Sequence, residues 1–262
     1  MSVAMQAGKL FSLDGRVVLV TGASSGLGAR FAEIAAANGA AVVLVARRSK
    51  SLDAMRAKIE KAGGRAAVAV ADVTDRADMR RAFDAAEKAF GTVDVLVANA
   101  GIVRVARALE TSAETWREVM ATNLDAVFFT AQEAANRMVA AGKTGAIITI
   151  ASVAGFAVER GVAAYSVSKA GVIQATRALA LELARKGIRV NAIAPGYTVT
   201  DLNREFLTSD KGAAMREQIP LGRFGEIGNL DGAFLLLASD AGRWITGATV
   251  LVDGGHLLAM GG

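Results

Sequence analysis

The segment 163–171 reads AAYSVSKAG and sets Tyr165 four residues before Lys169. On a helix this spacing puts both side chains on one face, with Cβ atoms about 5–6 Å apart. A free phenol titrates at about 10, too high to trade its proton readily at neutral pH. An ammonium alongside favours phenolate and draws that pKa down, which makes the tyrosine a usable general acid or base. Ser152 stands thirteen residues upstream, where its hydroxyl can hold a substrate oxygen from the other side. A carbonyl pinned by two hydroxyls, with a nicotinamide delivered beside it, is the chemistry of hydride transfer. A surface helix whose Tyr and Lys merely fall in step reads the same over this stretch, so the rest of the chain has to separate the two.

The apolar run RVVLVTG at 16–22 leads straight into TGASSGLG at 21–28 and an apolar-periodic helix. In such a turn Gly22 makes the bend, Gly26 lets the backbone approach a pyrophosphate, and Gly28 lets helix pack on strand. The helix N-terminus offers phosphates its free N–H groups and the positive end of its dipole. The spacing is G-x-x-x-G-x-G rather than G-x-G-x-x-G. An NAD site would carry an acid at the end of the second strand for the ribose hydroxyls. Here the chain reads Val45-Ala46-Arg47-Arg48, with no carboxylate until Asp53. An arginine fork binds a 2′-phosphate that an acid would repel. NADP is therefore expected, with NAD as the alternative; a solvated basic loop is the competing reading of Arg47 and Arg48. Asp72 and Asn99-Ala100-Gly101 follow the third and fourth apolar runs, at strand ends where open α/β sheets bind ligands. Asp72 could accept from an adenine amino group or only form a turn.

The elements that must position these residues show in the hydropathy pattern. Apolar runs at 16–22, 40–47, 66–73, 93–101, 145–152, 188–196 and 248–255 have the unbroken Val/Ile/Ala/Leu content of strands buried on both faces. Helical patterns alternate with them at 27–38, 51–62, 75–90, 114–141, 163–186 and 228–239, with Asn123 inside the fourth. Gly39 and Gly63 fall where helices should end. The alternation predicts an α/β, doubly wound Rossmann-type fold: one seven-stranded parallel sheet with helices on both faces. No linker or composition shift divides the 262 residues, so a single dinucleotide-binding and catalytic domain over 1–262 is expected. Pro195 and Pro220 bracket a stretch without clear period, about 197–226, which suits a substrate lid.

Composition excludes much else. Without cysteine there are no disulfides, thiolate chemistry or Cys-based zinc sites, and one histidine, His256, cannot build a His-cluster metal site. No metal is expected. The net charge of +5 comes from scattered basic residues, and 5% aromatics build no stacking platform, so no nucleic acid partner is expected. The opening MSVAMQAGKLFSLDG lacks the apolar core of a signal peptide. The stretch GAIITIASVAGFAV is too short for a bilayer and is interrupted by Thr149 and Ser152. A soluble cytoplasmic protein that does not enter membranes is the expectation.

TGASSGLG, NAG at 99–101, Asn123, Ser152, YSVSK and PGYTVT at 195–200 together resemble the short-chain dehydrogenase/reductase family, from about Leu13 to Gly255. The resemblance implies Tyr165 as acid–base residue and Lys169 as the group that lowers its pKa and holds the nicotinamide-ribose hydroxyls. It implies that Ser152 orients the substrate oxygen and that Asn123 fixes a water in a proton relay ending at Lys169. It assigns the cofactor site to Thr21, Ser24, Gly26, Leu27, Gly28, Arg47, Asp72, Val73, Asn99, Gly101, Pro195, Gly196, Thr198 and Thr200. A plain turn also accounts for Pro195-Gly196, and a helix N-cap for Thr200. Ser24-Ser25 stand where many NADP-using relatives carry a basic residue, which leaves the NADP expectation to Arg47 and Arg48.

Related enoyl reductases separate their Tyr and Lys by a longer interval, so the resemblance implies carbonyl–alcohol chemistry on a small ketone or secondary alcohol. The pattern is similar to 3-oxoacyl-carrier-protein reductases. A carrier-bound substrate would meet basic residues such as Arg137, Lys143, Arg185 and Lys186, which also suit helix C-termini. The opening LFSLDGRVVLVTGASSGLG is equally similar to sugar-acid and polyol dehydrogenases of the gluconate 5-dehydrogenase kind. A catalytically silent nucleotide-binding regulator on the same fold is the reading of a different class. Family members usually form tetramers. Val172, Ile173, Ala175, Leu179, Ala180 and Leu183 exceed the apolar surface one sheet face needs, so a homotetramer of D₂ geometry is expected.

Overall fold

The apolar runs become strands β1 (Val17–Thr21), β2 (Ala41–Ala46), β3 (Arg65–Val70), β4 (Val95–Ala98), β5 (Gly145–Ile150) and β6 (Ile188–Pro195). Two short strands, β7 (Thr198–Val199) and β8 (Gly225–Glu226), precede β9 (Thr249–Val252). The computed structural model describes residues 7–200, 203–207 and 209–260. The main sheet has seven strands in the order β3-β2-β1-β4-β5-β6-β9, every pair parallel. The chain winds outward from β1 to β3 and then crosses back to β4. The β1–β4 junction is therefore the switch point where such sheets open a crevice at their carboxyl ends.

Why the runs are unbroken is plain from the two cores. Val17 and Leu19 face one side with Val43 and Val45, while Val18 and Val20 face the other with Val42 and Leu44. Both faces of each central strand are thus covered, and period-two alternation disappears from the sequence. The helices Arg76–Phe90, Ala126–Ala140 and Ala163–Leu183 cover the first face; Gly26–Ala37, Ser49–Lys61 and Asp231–Ala238 cover the second. Helix ends follow local chemistry: Asp75 accepts from Ala77 and Asp78 N–H, and Gly39 and Gly63 take positive φ just past their helices.

Three expectations are corrected. β3 is an edge strand paired only with β2, and of its six residues only Ala69 is fully buried. The helix expected over 114–141 divides into Ala113–Met120 and Ala126–Ala140, joined by a π-helical segment, Ala121–Asp125. The apolar residues assigned to subunit contact serve this chain's own core: Val172, Ile173, Leu179 and Ala180 are buried, and Leu183 packs on them. The large exposed apolar side chains of that helix are instead Val167 and Leu181. The 197–226 stretch holds the β7–β8 pair and two short helices, Arg204–Leu207 and Asp210–Glu217. No helix among the described residues is long and apolar enough to cross a membrane.

Candidate active site

A cleft of about 1500 Å³ runs along the carboxyl ends of the strands. Following the strand order, Asp72, Val73, Arg47 and Arg48 line its β3–β2 end. The glycine turn and Asn99–Gly101 come next, then Ser152, Tyr165 and Lys169, then Pro195, Gly196, Thr198 and Thr200. Ser24, Ser25, Gly26 and Leu27 are in the same wall. Three expected site residues, Thr21, Gly28 and Asn123, lie behind the lining rather than in it.

Their positions explain what they do. Thr21 is buried, and its Oγ1 accepts from the N–H groups of Asn99 and Ala100 at 3.0 and 3.1 Å, while Asn99 Nδ2 donates to Thr21 O at 2.9 Å. It ties β1 to β4 and so shapes the turn from beneath. Gly22 has φ +67, in the left-handed region that favours glycine. A Cβ on Gly28 would sit 2.3 Å from Gly22 O, so the helix can reach the turn only without one. Ser25 stands at the helix N-cap without bonding the helix by its side chain, which leaves the first N–H groups to an anion. Gly28→Ala is accordingly expected to push turn and helix apart. The dinucleotide Kd should rise about tenfold or more, and thermal unfolding should move to lower temperature. Unchanged values for both would show that the turn relaxes around the methyl.

The basic charge missing from the glycine turn arrives from the next strand. Arg48 Nη2 donates to both Ser24 Oγ and Ser25 Oγ at 2.9 Å. Arg47 instead lies 3.6 Å from Asp72 Oδ2, an exposed pair. Asp72 Oδ1 accepts from the N–H and hydroxyl of Thr74 at 2.9 and 2.7 Å. Burial pushes this carboxyl up, but the Thr74 bonds and Arg47 outweigh it and hold the pKa below its ordinary value. Asp72 is thus both a turn residue and a wall residue, with Oδ2 shared only loosely.

The chemistry-bearing end is built on β5 and the helix Ala163–Leu183. Ser152 follows β5, and its Oγ accepts from Ala154 N–H at 3.1 Å, which fixes the short turn after the strand. Its hydroxyl is near enough to the Tyr165 phenol to draw that group's pKa down. Lys169 is buried, its Nζ 5.6 Å from the Tyr165 ring centroid and donating to Ile150 O at 2.7 Å. The expected lowering of the phenol pKa is not what this cavity produces. Burial pushes Tyr165 up, the Ser152 hydrogen bond opposes it, and the Glu159 carboxylate adds to the rise. The physical reason is that burial strips the phenolate of its hydration, while the Lys169 ammonium, its own pKa down to about 8, donates to Ile150 O.

Asn123 is fully buried in the π-helical segment. Its Oδ1 accepts from Ile102 N–H at 2.8 Å, and its Nδ2 donates to Ile102 O at 2.9 Å and Ser168 Oγ at 3.1 Å. This side chain anchors the loop after β4 to the helix Ala163–Leu183. A Cβ on Gly101 would come 3.3 Å from Asn123 Oδ1 and 3.6 Å from Lys169 Nζ, so the loop, the asparagine and the lysine form one packed unit. Insertions of π geometry recur at functional sites.

Sequence reasoning missed Glu159 and Tyr197, which line the cleft and are hydrogen-bonded to each other at 2.7 Å. The available signal was Tyr197 itself, the second of only two tyrosines in the chain. The N-cap expectation for Thr200 bears on a segment whose residues 201 and 202 lie outside the described ones. Thr200 N–H donates to Asn203 Oδ1 at 2.7 Å, and its carbonyl accepts from Arg204 N–H at 3.0 Å. The basic residues considered for a carrier lie at the opposite, amino-end edge of the sheet within one chain. Lys143 pairs there with buried Asp94 at 3.0 Å, and Arg137 with Asp84, Glu87 and Glu133.

Residues 22–256 match a family model described as enoyl-(acyl carrier protein) reductase. The chain is 42% identical over 250 residues to galactitol 2-dehydrogenase (L-tagatose-forming) of Cereibacter sphaeroides, covering 94% of this chain and 97% of the relative. It is 38% identical over 244 residues to a 3-oxoacyl-[acyl-carrier-protein] reductase of Escherichia coli, covering 93% and 98%. The crystal structure of a gluconate 5-dehydrogenase from Burkholderia cenocepacia in complex with NADP and tartrate superposes with a TM-score of 0.91 at 37% identity, covering 96% of this chain and 98% of that one. The family model spans most of the chain, and these relatives are matched over nearly their whole length on a superposable fold: the chain belongs to the short-chain dehydrogenase/reductase family.

Proposed function

We propose that this chain catalyses the NADP(H)-dependent interconversion of a ketone and a secondary alcohol. The observation that carries the reading is the placement of Ser152, Tyr165 and Lys169 in the same cleft as the glycine turn and Arg47 and Arg48. The residues present fit a dinucleotide: the Gly22–Gly28 contact admits no side chain, and the helix behind it starts uncapped. Gly22, Ser24, Gly26 and Leu27 would hold the phosphates, Asp72 and Val73 the adenine, and Asn99, Ala100, Gly101, Pro195, Gly196, Thr198 and Thr200 the nicotinamide half. When bound, the cofactor supplies or takes the hydride. The chain's own part is to pin the substrate oxygen between the hydroxyls of Ser152 and Tyr165. Tyr165 gives up its proton to that oxygen in reduction and recovers one in oxidation. Asn123 acts from behind by holding the Ile102 loop, the position from which the proposed water relay toward Lys169 would run.

The 2′-phosphate would meet Arg48 and Arg47. Arg48→Asp is expected to turn the NADPH-over-NADH ratio of kcat/KM by about 10- to 100-fold, since hydrogen bonds to charged groups contribute about 1.5–3 kcal/mol. Arg47→Asp should do less, because Asp72 already draws on Arg47. An unchanged ratio in Arg48→Asp would remove Arg48 from cofactor choice.

Similarity to the Escherichia coli reductase supports a 3-oxoacyl thioester, free or carrier-bound; similarity to the galactitol and gluconate enzymes supports polyols and sugar acids. Steady-state assays of a short 3-oxoacyl thioester, a ketose and a keto-sugar acid with NADPH test the reading. NADPH binding without turnover of any would overturn it in favour of the silent regulator. A homotetramer belongs to the same reading, supported by the exposed apolar Phe129, Val139, Val167 and Leu181 on the two long helices.

A further inference from the structure

At the β5–β6 end of the cleft, Glu159 and Tyr197 form a polar pair that the proton and hydride chemistry does not use. Tyr197 Oη donates to Glu159 Oε2 at 2.7 Å. The Tyr197 ring packs edge-on against Phe224 from the lid, with centroids 6.2 Å apart, and tilted against buried His256 from the C-terminal turn, at 5.2 Å. These contacts come from three separate parts of the chain and give the phenol one orientation. The Glu159 carboxylate is thereby held in the same wall as Ser152 and Tyr165, and its other oxygen has no partner among the described residues.

What this carboxylate favours follows from its neighbours. The cation Arg104, also in the wall, is committed to Glu118 through Nε and Nη2 at 2.9 and 2.6 Å. Arg160 is exposed at the rim, where solvent weakens its field. Glu159 is close enough to the reacting centre for its charge to be felt by Tyr165. A half-buried carboxylate receives a hydroxyl well and faces a second carboxylate badly. An acyl chain laid across it would bury its free oxygen unpaired, which costs binding.

Resting on the carbonyl–alcohol reading above, we propose that Glu159, oriented by Tyr197, determines specificity. Its free oxygen accepts a hydroxyl of the substrate, and its charge restricts the site to uncharged polyhydroxylated alcohols and their ketoses, against aldonates and acyl thioesters. Glu159 is the specificity-determining contact and Tyr197 a positioning residue.

The test compares galactitol, gluconate and a short 3-oxoacyl thioester as substrates with NADP(H) in the wild type, Glu159→Gln and Tyr197→Phe. Calorimetric titrations of galactitol and gluconate onto the NADP⁺-loaded enzyme run in parallel. The wild type is expected to favour galactitol over gluconate. Glu159→Gln, which keeps an acceptor for Tyr197 and loses the charge, should shrink that ratio about tenfold or more, chiefly through KM. Tyr197→Phe should raise KM for galactitol with kcat largely kept. Turnover with an unaltered ratio in Glu159→Gln, or a wild type that prefers gluconate or the thioester, would overturn the assignment and leave the carbonyl–alcohol reading standing. A calorimetric preference for galactitol that Glu159→Gln removes, without turnover of any substrate, would overturn that reading and leave the carboxylate's role intact. No preference and no turnover would overturn both.

Discussion

Tyr165→Phe is expected to lower kcat by about 10³-fold, within the 10²–10⁴ that positioned acid–base catalysis contributes, while NADPH affinity stays within about threefold. The substitution keeps the ring against Lys169, whose Nζ lies 5.6 Å from its centroid, and removes only the phenolic hydroxyl. The side chain is partly exposed to the cleft, so loss of the oxygen leaves no buried void. Because burial and Glu159 hold the phenol above its ordinary pKa, Tyr165 keeps its proton at neutral pH and is ready to act as the acid in ketone reduction. Alcohol oxidation needs the same group deprotonated and should gain as pH rises. Steady-state rates set beside a fluorescence titration of NADPH separate the two effects. Retained turnover would mean that another group carries the proton, and a parallel loss of NADPH binding would mean that Tyr165 serves the cofactor rather than the reacting oxygen.

The parts of this architecture legible in the sequence are those governed by local rules. Unbroken Val-rich runs mark strands covered on both sides, and Val18 and Leu19, on opposite faces with both side chains fully buried, show why. Gly22 and Gly28 could be assigned because a bend and a close approach each exclude a side chain in a way that spacing alone reports. What could not be read depends on partners distant in the chain. The π-helical segment at Ala121–Asp125 leaves the apolar pattern nearly unchanged, yet it sets the buried Asn123 against Ile102, 21 residues earlier, and Ser168, 45 residues later. Arg48 could not be seen to supply the charge absent from the glycine turn until β1 and β2 were paired, which brings it to Ser24 and Ser25. The apolar residues of the Ala163–Leu183 helix suggested a subunit face because the sequence does not show how much of that helix its own sheet covers. Glu159 lies in a loop with no period at all, and only Tyr197, across 38 residues, marks it.

Lys169→Met is expected to abolish turnover and, at pH 7, to make the cofactor-free protein more stable. Among the described residues the buried ammonium makes a single hydrogen bond, to Ile150 O, and pairs with no carboxylate. Burial brings its pKa down to about 8, whereas an unfolded chain's lysine titrates at about 10.4. Between those two values the unfolded chain binds more protons than the folded one, so stability rises with pH across that window. Below about pH 8 the cost of burying the charge is fully present, roughly 3 kcal/mol at 1.36 kcal/mol per unit. Methionine fills similar volume without the charge but leaves Ile150 O unmet, so a net gain of about 1–3 kcal/mol is expected at pH 7. That gain should shrink as pH rises toward about 10.4 and vanish above it, where the wild-type lysine is neutral in both states. On the proposed mechanism the same site holds a charge beside Tyr165 at the expense of stability, a conflict expected where function overrides packing. Thermal unfolding of both proteins at pH 7 and pH 10, set beside their kcat values, checks the account. A methionine variant less stable at pH 7, or a stability gap that does not change with pH, would show that the buried ammonium is satisfied by groups other than Ile150 O.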